Sequence, residues 1–239
     1  QPAAQVGHVA KATPLTLPMN VQLITKQGEQ GELPLSIPAE RIGNQVTAAG
    51  IPFAIAKDGK NALRLAGQTL TLKKDTRRLA LLLSADSNRI LDFTVGGKTV
   101  PCSVLSRTRR FASWDLYDLH ETAHIQEGQL GYVSTHSHNA DGTDAIAKEL
   151  YFYILILNVQ GGDTVVLPRD EETLVLAATE LNTVAVPCAT PLYDRVEDRP
   201  FDYTMRLGDK LRYLRMKLPW YMGDKGRYFS CYNRGRERE

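Results

Sequence analysis

Two histidines separated by a single serine, His136-Ser137-His138, are the residues of this chain best placed to do chemistry. On an extended strand, residues two apart point to the same face, so both imidazoles come within reach of one ion. Asp141 and Asp144 follow closely and could add oxygen ligands, and the metal set offered by this segment is His136, His138 and Asp141. A cupin-like metal enzyme is the sharp reading. That pattern needs a Glu soon after the histidines and a later His from another strand, whereas Glu149 is too distant and no His follows His138. In the competing reading the histidines hydrogen-bond at a strand end and position the loop that follows, with no metal and no cofactor.

The same region carries residue types that suit a sugar. A pyranose needs a flat apolar face against its C–H side and planar polar groups for its hydroxyls. Trp114, Tyr117 and Tyr132 could supply the first, while Asp115, Asn139, Asp141 and Arg110 could supply the second, beside His136 and His138. Trp114 reads first as a core or interface aromatic, because Trp is largely buried in most sandwiches. Glycoside hydrolysis requires two carboxyls about 5 to 9.5 Å apart across a cleft. Asp141 with Asp144, or Glu171 with Glu172, meets this only by composition, and adjacent acids in a turn usually form a solvated rim. Ser134, His136 and Asp141 lack the glycine pattern of a nucleophile elbow. No residue is assigned a catalytic role.

The elements that must position these groups are strands. From Ala49 to Glu180 short apolar segments rich in β-branched residues alternate with Gly, Asn and Asp, the pattern of an all-β sandwich or jelly roll. Leu79-Ala80-Leu81-Leu82-Leu83 is continuously apolar, so its strand is expected at the centre, covered on both faces. Gly96-Gly97-Lys98 closes a hairpin between Phe93-Thr94-Val95 and Thr99-Val100, and Gln160-Gly161-Gly162-Asp163 is read as closing another, between Tyr151–Val159 and Thr164–Leu167. Three regions separate. Residues 1–32 form a flexible lead-in with one strand signal, Val21–Ile24. Residues 33–186 form the sandwich. Residues 187–239 form a basic, aromatic, mixed extension docked on it, where Leu207, Leu211, Leu214 and Leu218 mark an amphipathic helix that Pro219 stops.

Composition narrows the function classes. A formal net charge of +2 from 29 basic and 27 acidic side chains is too balanced to steer a polyanion. The aromatic and basic tail reads as a docking extension rather than a nucleic-acid surface. No apolar run approaches the roughly 20 residues that cross a bilayer. Cys102, Cys188 and Cys231 are an odd number without metal-ligand spacing, so disulfides are not the framework. The opening Gln-Pro-Ala-Ala is compatible with a mature exported protein, so a secreted or periplasmic location is expected.

Over residues 33–183 the order of segments resembles the β-sandwich module that follows the catalytic domain in bacterial proteins related to the family-38 α-mannosidases. The segments are Gly67-Gln68-Thr69-Leu70, Leu79–Ala85, Trp114-Asp115, Thr135-His136-Ser137-His138-Asn139, the aromatic strand around Tyr151, Thr164–Pro168 and Leu174–Ala178. The resemblance implies a galactose-binding-like jelly roll. It implies a non-catalytic accessory or carbohydrate-binding role, with a glycan or a glycoside hydrolase catalytic domain as partner. It transfers no glycosidase activity, since nothing here matches that family's zinc site or carboxylate nucleophile. The alternative is an autonomous metal-dependent or hydrolytic enzyme centred on His136 and His138.

Overall fold

Leu79 to Leu83 are all buried, and they sit in the middle strand of the molecule's largest sheet. The computed structural model describes residues 11–109, 112–117, 120–125 and 128–182, for 112–117 and 120–125 the backbone alone. The largest sheet runs β1 (Ala12–Leu15), β18 (Arg169–Leu181), β8 (Arg78–Ser84), β16 (Tyr151–Asn158), β13 (Gln129–Val133), with β6 (Leu63–Ala66) sharing the outer edge of β18 with β1. A four-stranded sheet runs β10 (Lys98–Val104), β9 (Arg89–Val95), β17 (Thr164–Val166), β7 (Thr69–Thr71). A sheet of short strands runs β15 (Asp144–Ala145), β14 (Ser137–Asn139), β3 (Leu35–Pro38), β2 (Ile24–Thr25). Two-stranded sheets complete the set, β4 (Gln45–Ala48) with β5 (Ile51–Ala54), and β11 (Ala112–Tyr117) with β12 (His120–Ile125). There is no helix among the described residues.

Alternation along β8 explains how these sheets pack. Successive side chains point to opposite faces. Leu79, Leu81 and Leu83 join Leu70, Phe93, Val95, Val104 and Val165 in one apolar core, between the large sheet and the four-stranded sheet. Ala80 and Leu82 join Ile24, Ile37, Ile51, Phe53 and Phe152 in a second core, beneath the short strands and the β4–β5 hairpin. A strand covered on both faces has no polar face to alternate with, which is why its sequence is continuously apolar.

One turn carries the expected glycine logic, and a second glycine is required by a close approach. Val95 pairs with Lys98 across Gly96-Gly97, whose φ values of 53° and 79° give the two-residue hairpin that matches strand twist. Gly161 lies so close to the chain ahead of β8 that a Cβ there would stand 1.6 Å from the Lys74 carbonyl oxygen.

Two expectations are revised. Residues 12–32 are part of the sandwich rather than a lead-in: β1 pairs with the end of β18, β2 pairs parallel to β3, and Leu17, Val21, Leu23 and Ile24 are buried. Gln160–Asp163 closes no hairpin, because β16 pairs with β8 and β13 while β17 pairs with β7 and β9, so the turn passes the chain between sheets. Gly67, at φ 82°, likewise hands the chain from β6 in one sheet to β7 in the other. Glycine punctuation marks that the chain turns, and only tertiary packing decides which sheet it enters.

The chain divides into two compact units, residues 1–114 with 123–190 and residues 115–122 with 191–239. The sandwich belongs to the first. The extension at 187–239 with its helix signal, Cys188 and Cys231 lie outside the described residues.

Candidate metal centre

β14 is an inner strand of the short-strand sheet, and its register places the chemistry. His138 pairs with Ser36 of β3 on one side and with Asp144 of β15 on the other. Directly opposed residues bring their Cβ atoms to about 5 Å, so Asp144 lands beside His138. His136, two residues earlier, comes to the same side, and the two imidazole centroids are 5.7 Å apart. Just past β3 the chain turns, with the Arg41 amide donating to the Pro38 carbonyl at 3.1 Å. That turn brings the Glu40 carboxylate to both rings.

Three donor groups therefore converge, Glu40, His136 and His138, whose ligand atoms all lie within 4.8 Å of one another, with the Asp144 carboxylate beside both rings. His138 Nε2 is 3.3 Å from Glu40 Oε1 and 3.5 Å from Asp144 Oδ1. His136 Nε2 is 4.0 Å and 3.9 Å from the same two oxygens. Metal–ligand bonds of about 2.0–2.2 Å in a tetrahedron require ligand atoms about 3.4 Å apart. The His138–Glu40 separation matches, and that from His136 to Glu40 needs only roughly half an ångström of side-chain movement.

The hydrogen bonds around His138 sharpen this. Its ring is fully buried, and Thr25 Oγ1 lies 3.0 Å from Nδ1. Thr25 Oγ1 is in turn 2.6 Å from Ser36 Oγ, which donates to the His138 carbonyl at 3.5 Å. The circuit closes when Nδ1–H donates to Thr25, Thr25 to Ser36, and Ser36 back to the His138 carbonyl, the tautomer that leaves Nε2 with a lone pair for a metal. Yet Nε2 is buried without a hydrogen-bond partner and faces two carboxylate oxygens. An electron pair aimed at two anions is unfavourable until a cation sits between them.

The surrounding backbone is braced to hold this arrangement. Asn61, fully buried, accepts from the Leu23 and Ile24 amides at 2.8 Å each and donates to the Ile24 carbonyl at 2.8 Å, fixing the strand that carries Thr25. The β14–β15 turn docks on residues 28–31, where the Gly28 amide donates to Gly142 O and the Gly31 amide to Ala140 O, both at 3.0 Å. Gly142, at φ 83°, is packed so tightly that a Cβ would lie 2.6 Å from the Gly28 carbonyl carbon.

The other residues singled out from the sequence fall elsewhere. Asp141 is fully exposed, and its Oδ1 accepts from the Thr143 hydroxyl at 2.6 Å and the Thr143 amide at 3.0 Å, bonds that hold its carboxyl below the usual range. It caps the turn, and Asp144 occupies the place beside the histidines. Asn139 belongs to the same turn, donating to Thr143 Oγ1 at 3.0 Å. Tyr132 packs against the inner core with its hydroxyl buried and unpartnered, so its ring is no exposed stacking platform. The side chains of Trp114, Asp115 and Tyr117, and Arg110, lie outside the described residues. Glu40 and Thr25 went unread in the sequence. Both reach the centre through strand pairing and neither stands near the histidines in sequence.

An open cleft of about 770 Å³ adjoins the centre through Glu40, lined also by Lys26, Gln27, Asn44, Lys57 and Asp58. The fold and this cluster define an all-β sandwich domain with two imidazoles and two carboxylates gathered on its layer of short strands. The chain belongs to the family of AziU2-like beta-sandwich domains, which it matches over residues 11–184. The catalytic unit of a thermostable GH87 α-1,3-glucanase from Streptomyces thermodiastaticus is 18% identical, with a TM-score of 0.30, over 69% of this chain and 29% of that one. The catalytic domain of a GH87 α-1,3-glucanase in complex with tetrasaccharides is 14% identical, with a TM-score of 0.26, over 70% of this chain and 31% of that one. The chain thus spans less than a third of either structure, and both are α-1,3-glucanase units rather than family-38 α-mannosidases. No protein of curated function matches.

Proposed function

We propose that this chain is a metal-binding sandwich domain that holds one divalent transition ion between His136, His138 and Glu40, with the Asp144 carboxylate beside it. The observation that carries the reading is the buried, unpartnered Nε2 of His138 facing two carboxylate oxygens. Two imidazole nitrogens with a carboxylate oxygen suit zinc and its neighbours. An all-oxygen set would favour calcium or magnesium. The ion lies at a rim, since the Glu40 and Asp144 side chains keep 43% and 39% of their surface exposed. An outside oxygen ligand can therefore reach it.

The test is retention of metal. Purified protein loaded with Zn(II) or Co(II) and dialysed against metal-free buffer is expected to keep one ion per chain by elemental analysis. His136→Gln is expected to lose it, while Asp141→Asn keeps it. Protein that retains no ion, or an Asp141→Asn variant that loses it as readily as His136→Gln, would sink the reading.

The polar cleft beside Glu40 favours a second reading, a non-catalytic carbohydrate-binding accessory of a glycoside hydrolase system of the α-mannosidase-related kind. Gln27, Asn44 and Asp58 are planar groups suited to sugar hydroxyls. A glycan array run with and without chelator separates the readings: chelator-insensitive glycan binding by protein without stoichiometric metal supports the accessory role.

A further inference from the structure

The cleft against which Glu40 stands has one charge left over. Of the charged groups lining it, Glu40 faces the histidines, and Lys26 Nζ lies 3.8 Å from Asp58 Oδ1. That leaves Lys57. Its side chain is half-buried, its backbone carbonyl is held by Asn61 Nδ2 at 3.2 Å, and no carboxylate among the described residues pairs with its ammonium. An ion held by two imidazoles and one carboxylate keeps a fourth coordination position for an outside oxygen ligand. A cation lining the adjoining cleft then selects what that ligand carries at its other end.

We propose that the cleft beside Glu40 binds a small ligand with two oxyanion groups, one completing the coordination of the metal and the other paired with the Lys57 ammonium. The inference rests on the metal reading. Neutral polyols can offer the metal an oxygen but gain nothing from Lys57. Monoanions satisfy one end only. Carboxylate and phosphate share the recognising chemistry, since both are compact anions with several acceptor oxygens.

The experiment uses the whole chain loaded with Co(II), whose visible spectrum reports a change of ligand at the metal. Acetate, malonate, succinate, glutarate, phosphonoacetate and the neutral disaccharide maltose are titrated in turn, with bound cobalt verified by elemental analysis after each titration. At least one dianion is expected to act at a concentration about tenfold below acetate. Lys57→Ala is expected to abolish that advantage while leaving cobalt affinity within twofold, and Lys26→Ala, whose charge is already paired, to leave the advantage in place. Preference for phosphonoacetate over every dicarboxylate identifies a phosphate-bearing ligand, and the reverse a carboxylate, both in support. Dianions no better than acetate, an advantage that survives Lys57→Ala, or maltose matching the best dianion would overturn the proposal and leave the metal site standing. Failure to bind cobalt at all would remove both.

Discussion

Replacing Asp144 with Asn tests the centre without disturbing the fold around it. Zinc that binds the folded chain alone stabilises it by RT ln(1 + [L]/Kd), about 4 kcal/mol when free zinc is a thousand times Kd. A sandwich of 150–250 residues gains about 2–4 °C per kcal/mol, so zinc is expected to raise the melting temperature of the wild-type chain by about 8–16 °C. Asn keeps the shape of Asp144 but withdraws the charge that faces His138 Nε2 at 3.5 Å and His136 Nε2 at 3.9 Å. A weakening of 10- to 100-fold removes about 1.4–2.7 kcal/mol, a third to two thirds of the zinc-induced rise. The metal-free melting temperature is expected to stay within about 2 °C, because Asp144 is exposed and makes no side-chain hydrogen bond among those of the described residues. Asp141→Asn, which touches only the turn, serves as control. The readout is differential scanning fluorimetry with zinc and with chelator. Equal zinc shifts in wild type and Asp144→Asn, or no shift in either, refute the reasoning.

Thr25→Val keeps the volume but breaks the hydroxyl circuit to His138 Nδ1; zinc affinity, by competition with a chromogenic chelator, is expected to fall about tenfold or more. Tyr132→Phe removes a buried hydroxyl without a partner, so urea unfolding is expected to show no loss and up to about 1 kcal/mol of gain. Burial pushes the Tyr132 phenol up to about 12, above its ordinary value near 10. Its contribution to stability is therefore complete below about pH 10 and declines as pH climbs toward 12, a decline that Tyr132→Phe is expected to lessen in alkaline melts. Ala49, at φ 50°, precedes Gly50 in the two-residue turn between Ala48 and Ile51. Ala49→Asn makes the favoured Asn-Gly turn, and about 1 kcal/mol of stabilisation is expected in the same unfolding assay.

What could be read in the sequence follows the range over which each signal acts. The central position of β8 is legible because burial on both faces removes every polar residue from Leu79 to Leu83. The Gly96-Gly97 hairpin is legible because two adjacent positive φ values leave little choice of residue. The pairing of His136 with His138 is legible because strand alternation is local. Glu40 is not, since the step that brings it to the histidines is the pairing of β3 with β14, a contact of long sequence separation. The choice between Asp141 and Asp144 also lay beyond composition. The register of a short hairpin decides it, sending one carboxylate into the turn and setting the other opposite His138.

The placement of the centre has its own physical logic. The large sheet is held by β8, β16 and β18, of seven, eight and thirteen residues, which pair along most of β8. The layer that carries the histidines is built from strands of two to four residues, each too short to contribute many ladder bonds. Its hold on the rest comes from Ile24 and Ile37 in the inner core and from buried polar groups, Asn61, Thr25, Ser36 and His138. Small structures with few backbone bonds gain most from a cross-link. An ion joining Glu40, just past β3, to His136 and His138 at β14, with Asp144 of β15 beside it, would tie together segments too short to hold one another. Removing it should loosen this layer while the large sheet stays closed. Hydrogen exchange is therefore expected to rise on chelation at Ser137–Ala145 and around Glu40, with β8 and β16 unchanged. Uniform loss of protection across all sheets would mean instead that the layers unfold as one, and that the ion supports the whole sandwich.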